Sequence, residues 1–321
     1  MRNIRNCDVS CDAPSCSRYD PRTITARHSR PPQTHERNRA WLEQKAHCNI
    51  EQKFLAWTNT RPCQKWRRLL IDQLKAFRNK ARSIVFAVLR KSSVICLGRS
   101  PVSKTCQIPD LRNRYQALGL SPNKGFFVEI GAYDGESFSN TSFLADQGWQ
   151  GIYVEPIREF YRNTRLRHAL NAVTVENYAI ASSAGTASIS VMGALTTLHE
   201  DTTQLYKHIS WARKSASEAK SIEISTETIE TALARNNAPH FFDLMVIDVE
   251  GGEEQIVQAL FETQWRPRVL IVELIDKHDD FSINPALQQS SRRARQAILD
   301  AGYSAVYSDA VNTIFSRDSQ L

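Results

Sequence analysis

From residue 126 onward, short apolar runs alternate with segments whose apolar positions return every three or four residues. Phe126 to Ile130, Ile152 to Val154, Val173 to Glu176, Leu244 to Ile247 and Val269 to Val272 predict five strands. Between them, Ser137 to Gln147, closed by Gly148, predicts a helix. So do the stripe Ile157, Phe160, Tyr161 and Thr164 and the stripe Ile256, Val257, Leu260 and Phe261. Alternation of this kind implies an α/β fold with a mostly parallel sheet covered by helices on both faces. After a helix around Ala286 to Leu299 and a turn at Gly302, Tyr303 to Tyr307 and Val311 to Phe315 are two strands separated by three residues. A parallel crossover needs a dozen residues or more, so this terminal pair is antiparallel.

The front of the chain has a different pattern. Residues 1–63 are rich in Arg, Asn, Ser and Pro with no sustained apolar period, and are expected to be a disordered basic extension. In residues 64–90, Leu70, Leu74, Phe77, Ala81, Ile84 and Val88 recur at helical spacing, with Lys75, Arg78, Lys80 and Arg82 between them. This predicts a basic amphipathic helix. Its stripe can pack on the domain that follows or dock on an anionic membrane surface; nucleic-acid binding is not favoured, because stacking aromatics and recognised motifs are lacking. The run from Ile84 stops at Arg90 and Lys91, short of the ~20 apolar residues of a membrane span. Residues 64–110 thus form an amphipathic helix and linker ahead of an α/β domain at 111–321.

Charge reinforces this division. Lys and Arg number 25 before residue 125 and 16 after it, Asp and Glu 8 and 26, so the front carries +17 and the back −10. All seven cysteines (Cys7, Cys11, Cys16, Cys48, Cys63, Cys96 and Cys106) lie in the front part. Their odd number, with no apolar signal segment, predicts reduced thiols and a cytoplasmic protein. The spacing of Cys7, Cys11 and Cys16 fits no common zinc site.

Candidate chemistry gathers where the predicted strands end. Phe126 to Ile130 runs into Gly131-Ala132-Tyr133-Asp134-Gly135, a glycine turn that lets backbone N–H groups approach a charged ligand. Glu155, 20 residues after Gly135 and at the tip of the second strand, is placed to accept hydrogen bonds from ribose hydroxyls. Asn177 follows the third strand, where it would meet an adenine edge. Asp248, Glu250 and Glu253 follow the fourth. In an open sheet all these ends face one crevice. Several acids there, without an offsetting Arg or Lys cluster, suit a cationic ligand rather than a polyphosphate. The long segment holding His199, Tyr206, His208 and Trp211 is the natural acceptor cover.

Val128-Glu129-Ile130-Gly131-Ala132 with Gly135, Val154-Glu155-Pro156, Asn177-Tyr178-Ala179, Ile247-Asp248-Val249-Glu250-Gly251 with Glu253, and Val272-Glu273 resemble, in order and spacing, the motifs of FkbM-type methyltransferases. Tyr133 stands where that family often has Asn, and Gly252 where Ala is usual. The resemblance spans about Phe126 to Asp276. It implies a class I, Rossmann-like methyltransferase fold, of which a terminal antiparallel hairpin is characteristic, with S-adenosylmethionine as donor and a small hydroxyl-bearing acceptor such as a sugar. The implied donor site is Glu129, Gly131, Ala132, Tyr133, Asp134, Gly135, Glu155, Pro156, Asn177, Tyr178 and Asp248. Deprotonation of a hydroxyl acceptor falls to Asp248 first, then Glu250, then His199. Glu250 and Glu273 could alternatively hold Mg2+, a less favoured reading. Two rival functions remain open at this point: a dinucleotide-binding oxidoreductase, and a non-catalytic binding protein of methyltransferase fold.

Overall fold

In this computed structural model, residues 61–317 are described, with side chains from residue 71. The described residues from 69 onward belong to one compact unit, and the basic extension expected over 1–63 lies outside the described residues up to residue 60. The helix expected from residue 64 begins at Arg61 and runs to Leu97.

Ten strands form two sheets: β1 (Phe126–Ile130), β2 (Gln150–Val154), β3 (Val173–Glu176), β4 (Ala179–Ile180), β5 (Gly185–Val191), β6 (Lys220–Glu227), β7 (Phe241–Ile247), β8 (Arg266–Glu273), β9 (Ser304–Ser308) and β10 (Asn312–Ser316). The larger sheet has seven strands in the order β3-β2-β1-β7-β8-β10-β9. Its first five are mutually parallel. As the three-residue link requires, β9 and β10 pair antiparallel, and β10 also runs antiparallel to β8.

The central strands are near-continuous apolar runs because both faces are covered. Alternation along β1 sends Val128 and Ile130 into a core shared with Ile256, Val257 and Leu260 of the helix Glu253–Glu262. Phe127 points the other way, toward Tyr115, Phe143 and Trp149. Glu129 shares that second face, so one register places a carboxylate beneath the loop that follows β1.

Three expectations are corrected. The helix predicted over Ser137 to Gln147 is confined to Ser142–Asp146. Asp134 accepts hydrogen bonds from the N–H groups of Glu136 (3.0 Å) and Ser137 (2.6 Å) and from Ser137 Oγ (2.9 Å), tying the chain into a turn where a helix would start. The segment between the third and fourth predicted strands holds a second sheet of order β4-β6-β5. Its strands alternate Ser and Thr with single apolar residues such as Ile189 and Ile224, too weak an apolar pattern to announce a strand. Finally, the stripe Leu74, Phe77, Ala81, Ile84 and Val88 is exposed; the helix rests on the domain through Ser83, Ala87 and Arg90 instead. No helix among the described residues is long and apolar enough to cross a membrane.

A buried ionic network fixes these parts to one another. Arg167, 1% exposed, donates to both carboxylate oxygens of Asp146 (2.8 and 2.7 Å) and to Glu136 (2.7 Å). Glu136 also pairs with Arg90 of the long helix, and Asp146 accepts from Ser100 Oγ at 2.7 Å. Burial alone would raise the Asp146 pKa, but the Arg167 bonds outweigh it and hold the group below the ordinary carboxylate range. Replacing Arg167 by Leu leaves the buried Asp146 carboxylate without a cation and Glu136 with Arg90 alone. The expected loss is about 3–5 kcal/mol of stability, read from the midpoint of chemical denaturation.

Candidate active site

The loops that leave β1, β2, β7 and β8 at their carboxyl ends surround a cavity of about 520 Å³, within the range of small-molecule sites. Its floor depends on a close approach between β1 and β7. Asp248 donates its N–H to the Ile130 carbonyl (3.0 Å), and Gly131 lies so near that a Cβ would overlap the Asp248 carbonyl oxygen. Gly131 has φ +90°, a conformation natural to glycine.

One end of the cavity is lined by Gly131, Tyr133, Glu155, Pro156, Phe160 and the segment Ala179 to Ala181. Glu155, 4% exposed, accepts from the N–H groups of Tyr133 (2.9 Å) and Ile157 (2.7 Å). Each carboxylate oxygen keeps lone-pair capacity for a further donor. Burial pushes its pKa up to about 8, against the lowering effect of those two bonds. Tyr133 packs edge-on against Phe160, with centroids 4.6 Å apart, and holds φ +49°, unusual for a non-glycine residue.

Five residues implied for the donor site do not line the cavity. Ala132 is buried in the core beneath β1. Asp134 caps its own turn, as described above. Gly135 packs on Thr164 and His168, where a Cβ would come within 2.9 Å of the Thr164 methyl. Asn177 donates from Nδ2 to the carbonyls of Glu155 and Pro156, both at 2.9 Å, and so braces the loop that carries Glu155 rather than an adenine edge. Tyr178 belongs to the core, and the residues following it reach the cavity instead.

The other end brings together Glu129, His199, Tyr206, Trp211, Asp248, Glu250 and Glu273. Glu129 accepts from Ser139 Oγ (3.1 Å) and Thr141 Oγ1, while burial pushes its pKa up to about 7. Ligand atoms of Asp248, Glu250 and Glu273 lie within 4.8 Å of one another, so these three acids could hold a hard cation. Burial raises the pKa of all three; the charge of Asp248 adds to the rise at Glu250 and Glu273. Asp248 and Glu273 lie close enough to interact, which opposes the rise at Asp248 and adds to it at Glu273. Glu273 Oε2 is buried with no partner among the described residues. Tyr206 donates its hydroxyl to Glu250, which sits at φ +59°. Burial lowers the His199 pKa, leaving a neutral imidazole whose Nε2 borders Gly252.

Five carboxylates line this cavity, and no Lys or Arg does among the described residues. The arrangement favours a ligand with positive charge and hydroxyl donors. Sequence reasoning did not find the Ser139 and Thr141 pair that holds Glu129, nor Gln107, Thr196, His278 and Phe281 in the cavity wall. His278 and Phe281 follow β8, and the rule that ligands sit beyond carboxyl strand ends would have pointed to them. Gln107 carries no comparable local signal.

No curated protein matches the sequence. Among solved structures, the chain is similar to an O-methyltransferase from Bacillus cereus in complex with SAH (16% identity, 73% of this chain and 89% of that one, TM-score 0.38). It is also similar to a putative caffeoyl-CoA O-methyltransferase from Staphylococcus aureus (13%, 73% and 92%, 0.36) and to Aeropyrum pernix fibrillarin with bound S-adenosyl-L-methionine (12%, 64% and 72%, 0.33). The methyltransferase FkbM domain profile matches residues 129–305, from the acid of β1 into β9. With a seven-stranded class I sheet whose terminal hairpin runs antiparallel, the chain belongs to the FkbM methyltransferase domain family.

Proposed function

We propose that the protein transfers the methyl group of S-adenosylmethionine to a hydroxyl oxygen of a small metabolite, with sugars the first acceptor class to test. The observation that carries this reading is a cavity bordered by five carboxylates and no lining Lys or Arg. A dinucleotide would bring two phosphates into the same field. A sulfonium brings the opposite charge.

When bound, S-adenosylmethionine supplies an electrophilic methyl group on positively charged sulfur. Glu155 takes the ribose hydroxyls, Tyr133, Pro156 and Phe160 cover the nucleoside, and the acids beyond β7 and β8 face the charged sulfur. Methylation of a hydroxyl releases its proton, which needs an acceptor close by. Asp248 is that acceptor, because it lines the cavity at the end of β7 with Glu250 and Glu273 beside it. Glu250, oriented by Tyr206, holds the acceptor hydroxyl, and neutral His199 is the second proton acceptor. Trp211, Phe281 and Leu195 close that end against water.

Calorimetric titration of the full chain with S-adenosylmethionine, S-adenosylhomocysteine and NAD tests the donor assignment. Both adenosyl ligands should bind, and Glu155→Ala should weaken them by about a hundredfold or more, from two charge-assisted bonds of roughly 1.5–3 kcal/mol each. Binding of NAD alone would replace the reading with an oxidoreductase.

Transfer of labelled methyl to a panel of hydroxylated acceptors tests the chemistry. Asp248→Asn should retain donor binding while turnover falls by about 10²–10⁴. The same assay with a chelator separates a base from a metal ligand. Unchanged turnover is expected; loss restored by Mg2+ would reassign Asp248, Glu250 and Glu273 to a cation.

The raised carboxyl pKa values set the pH dependence. Glu129 at about 7 and Glu155 at about 8 bind protons more tightly folded than unfolded. Their contribution to stability is therefore present at low pH and is lost as pH rises through those values. Thermal unfolding should show a melting temperature that falls between about pH 4.5, the ordinary glutamate value, and about pH 8, and levels off above it. Glu155→Gln should flatten the slope.

A further inference from the structure

The long helix Arg61–Leu97 presents an apolar face that points away from the domain. Ile71, Leu74, Phe77, Ile84, Val85, Val88, Leu89 and Ile95 are all exposed, Phe77 at 72% and Ile95 at 79%. At 3.6 residues per turn these side chains fall within an arc of about 140°. The contact face, marked by buried Ser83, Ala87 and Arg90, lies on the opposite side of the helix. Arg90 fixes that orientation through its buried pair with Glu136 and its bond to the Pro101 carbonyl (3.1 Å). Because the rotation is set by the domain, the apolar arc is presented outward, and no described residue covers it.

Charge identifies what fits there. Lys75 and Arg82 border the arc along one edge and Lys80 and Lys91 along the other, Arg78 falls within it, and Asp72 is the one acid among residues 71–97. Long basic side chains flanking an apolar strip can reach lipid phosphates while the strip enters the acyl boundary. A second copy of the same face would bring like charges together, which disfavours self-association. We propose that this face docks the enzyme on an anionic bilayer surface, with the helix lying in the interface rather than crossing it.

The docked helix also touches the active site. Arg82 donates to Ser137 Oγ at 3.3 Å, and Ser137 and Phe138 line the cavity. The cavity rim therefore sits beside the lipid-facing helix.

Co-sedimentation of the full chain with vesicles tests the proposal, comparing phosphatidylcholine alone with mixtures containing phosphatidylserine. Binding should require the anionic lipid and weaken with salt. Lys75→Gln, Arg78→Gln and Lys80→Gln together should reduce it on the order of a hundredfold, from about fivefold for each charge near the surface. Leu74→Glu with Phe77→Glu should abolish binding while leaving the fold and donor binding intact, since both side chains are exposed. Equal binding to neutral vesicles would overturn the charge argument. Failure to bind either vesicle would overturn the proposal, and a dimer in sedimentation velocity that dissociates on Phe77→Glu would assign the face to a second copy instead.

Discussion

Five carboxylates converge on one cavity, and among the described residues no Lys or Arg lines it to neutralise them. Burying an ionised carboxylate is costly, and the group responds by raising its pKa, as Glu129, Glu155, Asp248, Glu250 and Glu273 all do. The rest of the site is arranged to tolerate this. Backbone N–H groups serve Glu155, and hydroxyls serve Glu129 and Glu250. Contrast the network at Arg167, where burial is equally deep but cations are built in and the acid Asp146 is held below its ordinary range. One set of buried acids is complete within the protein. The other has no Lys or Arg among the described residues that line its cavity.

Bringing the acids together requires strands whose ends coincide. Parallel pairing aligns the carboxyl ends of β2, β1, β7 and β8, and the Asp248 to Ile130 hydrogen bond continues the ladder past the strands themselves. Gly131 makes that contact sterically possible. Tyr133 and Glu250, both at positive φ without being glycine, lie on either side of it and line the cavity. Strain of this kind persists only where surrounding contacts over-determine it; here Glu155 holds the Tyr133 N–H, and Glu253 accepts from the Val249 and Gly251 N–H groups on either side of Glu250. Both bends border the cavity.

Legibility in the sequence followed burial on two faces. β1, β2, β7 and β8 are apolar runs because helices cover both sides of them, and their terminal acids stood out against that background. The short link between β9 and β10 fixed their direction by length alone. By contrast, β5 and β6 have one solvated face, and their Ser- and Thr-rich alternation looked like loop. Asp134 looked like a ligand residue because it follows a glycine turn, yet its carboxylate is spent on capping that turn, which sequence spacing does not distinguish. The helix was legible as amphipathic, but not its rotation. That is decided by Arg90 reaching Glu136 across 46 positions of chain, a partnership no local pattern reveals.

Asp134 then connects two parts of the molecule that sequence kept apart. Its carboxylate holds the N–H groups of Glu136 and Ser137, so that Glu136 turns inward to Arg90 and Arg167 while Ser137 and Phe138 turn toward the cavity. The residue that ends the glycine loop thereby sets both the anchor of the long helix and the rim of the site. Phe138, at φ +62° and 39% exposed, is held on that rim by a bond from its N–H to Thr105 Oγ1 (2.9 Å). One three-residue turn thus joins the long helix to the cavity rim: Glu136 pairs with Arg90 of the helix, and Ser137 and Phe138 line the cavity.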